Sequence, residues 1–248
     1  MKIPFPCSPT IRQSLDAMAP DIPRWVEARG MLVSSRCLIL GEAEDASGYV
    51  LVSSDGPLIS VVGRPPPAVV REGVKMLQGS VEILTSSDVR DVVSDAVDQW
   101  ECTPYAVQTL GSSPIDGPRS GRFDVRIVET PEELPLDHAP EALRQKLLRA
   151  LRWSAIAAIF VDDKTPVAFC YASWQTESLW DVGIDTIEEY RRRGFATACV
   201  CALVRKMHAV GKRPVWGALD TNMGAMLVAK KVGFRPIDQM VLFNGWVR

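Results

Sequence analysis

The chain of 248 residues lacks a strong charge of either sign: 28 lysines and arginines stand against 30 aspartates and glutamates, a net charge of −2. That balance gives no global electrostatic case for nucleic acid. Nor is there any uninterrupted apolar stretch of the roughly 18 residues that a membrane span requires. The opening Met1-Lys2-Ile3-Pro4-Phe5-Pro6-Cys7 lacks the apolar run of a signal peptide. A cytoplasmic protein with no membrane or nucleic-acid partner is the expectation. Histidine is scarce, with only His138 and His208, and none of the six cysteines (Cys7, Cys37, Cys102, Cys170, Cys199 and Cys201) stands in a C-x-x-C pair. A structural zinc site needs four gathered ligands, so no metal is expected. Reduced, buried thiols are the reading that suits a cytoplasmic setting. Cys199 and Cys201, two apart on one predicted helix, should point to different faces. The chain also has no G-x-x-x-x-G-K-[ST] P-loop and no three-glycine dinucleotide fingerprint.

What is present is a globular composition, 47% hydrophobic and 23% charged, of a size for one large or two small domains. The clearest boundary is 111–121, Gly111-Ser112-Ser113-Pro114-Ile115-Asp116-Gly117-Pro118-Arg119-Ser120-Gly121, which reads as a flexible linker. Residues 1–121 carry 10 basic against 15 acidic side chains, and the remainder 18 against 15. An anionic ligand should therefore be sought in the second half.

Hydrophobic periodicity predicts strands over 123–129, 155–161, 167–174, 179–187, 215–219 and 239–243, with helices over 142–153, 195–210 and 223–232. Gly211 and Gly233 should end the last two helices. In the first half, strands are expected over 31–40, 49–53, 58–62, 81–84 and 105–110. Helices are expected from Pro65-Pro66-Pro67 through Leu77 and over 88–97. Strand, helix, strand, helix, strand thus runs twice. A duplicated fold and two unrelated α/β domains both fit this order.

The informative segment runs from Asp181 to Ala196. A strand leads into Arg191, Arg192, Arg193 and Gly194, and that loop opens a helix. Helix N-termini present unpaired N–H groups and the positive end of the helix dipole. A glycine lets the backbone approach a phosphate, and arginines add charge-assisted hydrogen bonds. Such a loop suits a pyrophosphate.

Here the sequence resembles the GNAT superfamily of acyl-CoA-dependent N-acyltransferases, whose signature [QR]-x-x-G-x-[GA] is met by Arg191-Arg192-Arg193-Gly194-Phe195-Ala196. The strand at 215–219, Asn222, Ala225, Lys231 and Gly233-Phe234 follow at the family's intervals. The resemblance covers 122–248. It implies an α/β (α+β) GNAT fold there, mixed and mostly antiparallel, with 1–110 as a degenerate GNAT-like domain that has no cofactor site. It implies acetyl-CoA as cosubstrate, with Arg191, Arg192, Arg193, Gly194, Phe195, Ala196 and Thr197 around the pyrophosphate. The strand backbone at Ile184, Asp185 and Thr186 would lie along the pantetheine arm. Asn222 would lie near the cofactor or cap the following helix.

Two departures from the family pattern matter. The tyrosine that often protonates the leaving thiolate is replaced by Ala229, and the usual base position holds Trp180. Asp181 and Asp185 share one side of the strand and are the candidate bases; Glu177 precedes it. His138 and His208 suit structural roles better than catalytic ones. The expected reaction is N-acetylation of a primary amine on a small molecule or peptide. A catalytically silent CoA-binding regulatory module is the alternative. The acceptor's identity and a homodimeric state both stay open.

Overall fold

The computed structural model describes residues 2–3, 9–41, 47–111 and 123–248. Of the linker expected at 111–121, all but Gly111 lies outside the described residues, as does Cys7. The first half runs β1 (Lys2–Ile3), α1 (Pro9–Met18), α2 (Val26–Ser34), β2 (Cys37–Leu40), β3 (Gly48–Ser53), β4 (Leu58–Gly63), α3 (Pro67–Val74), β5 (Gly79–Ser86), α4 (Arg90–Ser94) and β6 (Glu101–Leu110). The second runs β7 (Val125–Val128), α5 (Glu141–Leu151), β8 (Ile156–Phe160), β9 (Pro166–Gln175), β10 (Leu179–Thr186), α6 (Phe195–Ala209), β11 (Arg213–Leu219), α7 (Met223–Val232) and β12 (Phe234–Val247). Apart from one extra helix in the first half, the order of elements is the same in both.

Local chemistry sets the boundaries. Proline occupies the first turn of α3, where its missing N–H costs nothing. Gly211 and Gly233 adopt left-handed φ values of 80° and 104° at the ends of α6 and α7. One boundary is corrected. The segment 31–40 is not one strand: Met31 to Ser34 complete α2, Ser35 turns left-handed at φ 56°, and only Cys37–Leu40 is extended. Glu27, Ala28 and Arg29 favour the helix, and the apolar run that follows lacks the alternation of a half-buried strand. Cys199 and Cys201 are both buried in α6, which packs against the sheet and against α7.

All twelve strands form one sheet in the order β1-β2-β3-β4-β5-β12-β6-β11-β10-β9-β8-β7. Separate sheets for the two halves are therefore replaced by a continuous one, mixed and mostly antiparallel. The halves exchange their last strands. β6 lies between β11 and β12, while β12 lies between β5 and β6. Among the described residues, only β4–β5 and β10–β11 are parallel pairs.

One face of the sheet carries α1, α2 and α5, and the other carries α3 and α4 over the first half and α6 and α7 over the second. Helix α2 bridges the halves. Its Val26, Ala28, Met31 and Leu32 share one core with Tyr49 and Leu51 of the first half and with Trp174, Leu179 and Val215 of the second. Among the described residues, no helix is long and apolar enough to cross a membrane.

Candidate active site

The two parallel pairs differ in a way that decides where a ligand can enter. β10 and β11 pair only over Leu179–Arg213, Trp180–Pro214 and Asp181–Val215, and then separate. Beyond that point Val182 to Thr186 pair with β9 alone, so on the β11 side the backbone of β10 is left to hydrogen-bond something else. The corresponding first-half pair stays closed from Leu58–Glu82 to Val61–Thr85, and the Thr85 hydroxyl donates to the Val61 carbonyl at 3.1 Å.

At the C-terminal, open end of the β10–β11 wedge lies the arginine loop. Gly194 caps α6 at φ 87° and Arg192 has φ 63°. Such left-handed turns aim successive N–H groups outward beside the unpaired amides of the first helical turn. Arg191, Arg192 and Arg193 are exposed; Arg191 donates to the Thr186 carbonyl and Arg193 to that of Glu189. Phe123 packs edge-on against Phe195 at 5.1 Å and braces the loop. Thr197, in the first turn of α6, is buried.

The first half's loop is built differently. The Arg64 N–H is consumed by the Ser47 carbonyl at 2.6 Å, its guanidinium is held by Asp91 and the Asp88 carbonyl, and Pro65, Pro66 and Pro67 supply no donors.

The wedge opens into a cavity of about 390 Å³ walled by Val182, Gly183 and Ile184 on one arm and by Trp216, Gly217, Ala218 and Leu219 on the other. Asp181 projects into it, together with Glu27 of α2, Glu82 of β5, Tyr105 of β6 and Tyr171 of β9. No lysine, arginine or histidine lines it among the described residues. Tyr105 donates to Glu27 Oε1 at 2.9 Å. A Cβ on Gly217 would collide with the Tyr105 ring and hydroxyl, so glycine is what lets that ring lie across β11.

Burial dominates the electrostatics here. It pushes Glu27 up to about 7, against the opposing pull of hydrogen bonds from its own backbone and from Tyr105. Asp181 is held well above the usual carboxylate range, first by burial and then by the charge of Glu27, with hydrogen bonds from Ser173 and the Val182 backbone opposing. Glu82 is raised by burial and lowered by Lys146.

The residues singled out from sequence meet different fates. Asp181 and Asp185 do lie on one face of β10, but Tyr171 fills the space over Gly183 between them. Asp185 is engaged, accepting from Tyr171 at 2.7 Å and pairing with Lys146 at 3.2 Å. Trp180 is fully buried on the opposite face, and Glu177 is exposed in the turn before β10, paired with Arg29. Asn222 accepts from the Ala225 N–H at 3.1 Å, which makes it the cap of α7, and it also borders the cavity. Ala229 is buried in the core, and no tyrosine occurs anywhere in α7. His138 is tied to the Pro166 carbonyl at 2.8 Å, and His208 is exposed on α6. Glu27 and Tyr105 went unrecognised in the sequence. A lone acid within the apolar stretch Trp25-Val26-Glu27-Ala28 was the only available signal.

A family model described as GNAT acetyltransferase matches residues 154–243. No curated protein matches the chain. Among solved structures, a GCN5-related N-acetyltransferase-like protein from Streptococcus suis is 16% identical, with a TM-score of 0.70 over 95% of this chain and 98% of its own. A GNAT-family protein from Novosphingobium aromaticivorans is 17% identical, with a TM-score of 0.60 over 92% and 98%. A tandem GNAT protein from the clavulanic acid biosynthesis pathway is 14% identical, with a TM-score of 0.59 over 95% and 93%. The fold is thus that of GNAT proteins, and the family match supports acyl transfer in general.

Proposed function

We propose, from the match of residues 154–243 to the GNAT acetyltransferase family model, that the protein moves an acetyl group from acetyl-CoA to a primary amine. The observation that carries this reading is the asymmetry of the parallel pairs. One is zipped shut, and the other opens between the arginine loop at the start of α6 and an acid-lined cavity. Backbone N–H groups from Arg192 to Ala196 would hold the pyrophosphate, with Arg191 and Arg193 adding charge. A side chain at Gly194 would have to adopt its positive φ with a Cβ against Phe123, whereas glycine leaves the loop open. The β10 backbone at Ile184, Asp185 and Thr186 would pair with the pantetheine arm as an added strand. Amides of the same strand would stabilise the tetrahedral oxyanion.

The acceptor would enter from the cavity side as an ammonium, drawn by Glu27 and Glu82 with no competing cation among the lining residues. Trp174 and Trp216 give it apolar walls. Holding amine and thioester together supplies much of the rate. With Ala229 in the tyrosine position, the thiolate would be protonated by the nitrogen it leaves or by water. The halves read as tandem GNAT-like domains, 1–110 and 122–248. In this reading the first would hold no cofactor, its β4–β5 pair being closed and its loop N–H being engaged by Ser47.

The test is thiol release from acetyl-CoA across a panel of amines, alongside a thermal shift with acetyl-CoA alone. A ligand that binds only the folded state must raise the melting temperature. A shift with turnover of at least one amine supports the reading. A shift without turnover of any amine would instead mark a CoA-binding regulatory module, and no shift would remove the cofactor assignment.

A further inference from the structure

Three of the five ionisable side chains lining the cavity, Glu27, Glu82 and Tyr105, come from the first half of the chain. Helix α2 carries Glu27 over the second half, packing against β9 and β10 as well as β3 and β4. Its carboxylate therefore faces the same space as Asp181, although 154 positions separate the two in sequence. We propose that Glu27 is the general base for the acceptor amine, with Asp181 as its partner across the cavity and Tyr105 as its positioning residue. This rests on reading the site as an amine acyltransferase.

The other carboxylates are less suited. Asp185 already accepts from Tyr171 and pairs with Lys146. Glu177 is exposed and paired with Arg29, which holds it below the usual carboxylate range. Glu82 lies within the field of Lys146. Glu27 meets no cation in the cavity. The groups facing it are Tyr105 from β6, Asp181 from β10, Glu82 from β5 and Tyr171 from β9.

Burial among these groups sets the division of labour. Asp181 is held well above the usual carboxylate range by burial and by the charge of Glu27, whereas burial raises Glu27 to about 7. A base works best when its pKa lies near the operating pH. The Tyr105 hydroxyl, raised well above its ordinary value by burial and by Glu27, stays protonated and fixes one carboxylate oxygen.

The step balances as follows. Glu27 takes one proton from R–NH3+, leaving R–NH2. The nitrogen lone pair forms the C–N bond to the thioester carbonyl carbon. The C–S bond then breaks with its electron pair on sulfur, and the second proton lost by nitrogen goes to that sulfur. Glu27 returns its proton to water.

The experiment uses the full chain as wild type, Glu27→Gln and Tyr105→Phe, with acetyl-CoA and a turned-over amine from pH 5.5 to 9. Wild-type kcat/KM should rise to a plateau through a limb at about pH 7. Glu27→Gln should lose about a hundredfold at pH 7. Its rate should then climb roughly tenfold per pH unit with the free amine, with no limb. Its acetyl-CoA thermal shift should match wild type, because the pyrophosphate is assigned to the backbone of Arg192 to Ala196 and not to Glu27. Tyr105→Phe should retain turnover with the limb moved to higher pH, since a hydrogen bond favouring the carboxylate is lost. Without any acetyl-CoA, the wild-type melting temperature should fall relative to that of Glu27→Gln between pH 5 and 8. A Glu27→Gln variant within threefold of wild type at pH 7, with its limb in place, would overturn the assignment while leaving the acyltransferase reading intact. Absence of both thermal shift and thiol release in the wild type would overturn that reading and the assignment with it.

Discussion

Replacing Glu27 with glutamine should stabilise this protein above neutral pH, although most substitutions at buried positions do the opposite. Burial lifts the carboxyl from its ordinary 4.5 to about 7. A carboxyl with a raised folded-state pKa binds its proton more tightly in the fold than in the unfolded chain. Its contribution to stability is therefore fully present below about pH 4.5 and is lost as pH rises through about 7. At about 1.4 kcal/mol per pH unit, the loss across that window is about 3 kcal/mol. This is the upper end, because the cavity beside Glu27 admits water.

Glutamine is uncharged throughout, and its side-chain oxygen can still accept from Tyr105. It also removes the charge that raises Asp181. Denaturant unfolding of both proteins at pH 5 and pH 8.5 isolates the effect. The two should be close at pH 5. At pH 8.5 the variant should be the more stable by up to about 3 kcal/mol, or about 6–12 °C in Tm for a chain of this size. Parallel stability curves for the two proteins would refute the burial argument, and with it the poise of Glu27 near neutrality.

Gly194→Val should abolish the thermal shift given by acetyl-CoA, because a β-branched residue at φ 87° strains the loop by about 1–2 kcal/mol and crowds its N–H groups; a retained shift in a folded variant would refute the pyrophosphate assignment. Asp185→Asn should lower kcat/KM by less than about fivefold, since Lys146 and Tyr171 already occupy that carboxylate; a hundredfold loss at pH 7 would place the proton on Asp185 instead. Residues 122–248 expressed alone leave β11 and β12 without β6, and β12 without β5. That fragment should run as an aggregate or strand-exchanged oligomer by size exclusion, and a folded monomer would refute the interdependence of the halves.

Much of the second half was legible because its signals are local. The hydrophobic periodicity of α6 and the glycines after α6 and α7 mark boundaries without reference to distant residues. The arginine loop was legible for the same reason: strand, basic residues, glycine and helix are contiguous. The end of helix α2 was read as strand because Met31-Leu32-Val33 is a short apolar run with no period of its own. The single sheet was not legible either. Which neighbours β6 and β12 choose depends on pairing across more than a hundred residues, and both strands would satisfy either arrangement. Glu27 was hidden by that same distance. Its significance comes from the packing of α2 over β10, which no spacing encodes.

The difference between the two parallel pairs gives the first half a physical role despite its closed loop. A wedge between parallel strands removes hydrogen bonds from the centre of a sheet, and something must hold the arms apart. Here β11 is buttressed on its far side by β6, a first-half strand, over Val215 to Leu219. β6 in turn leans on β12, which is anchored to β5 along eight paired positions. The zipped β4–β5 pair makes that anchor continuous with the rest of the first-half sheet. Opening both wedges would weaken this support on the side where it is needed. Closing one lets the first half serve as a rigid wall, and the Tyr105 ring of β6 fills the space over Gly217 at the wedge itself. The strand exchange therefore does two things with one topology. It braces the open arm of the second half, and it brings the hydroxyl that orients Glu27 to the cavity where Asp181 waits.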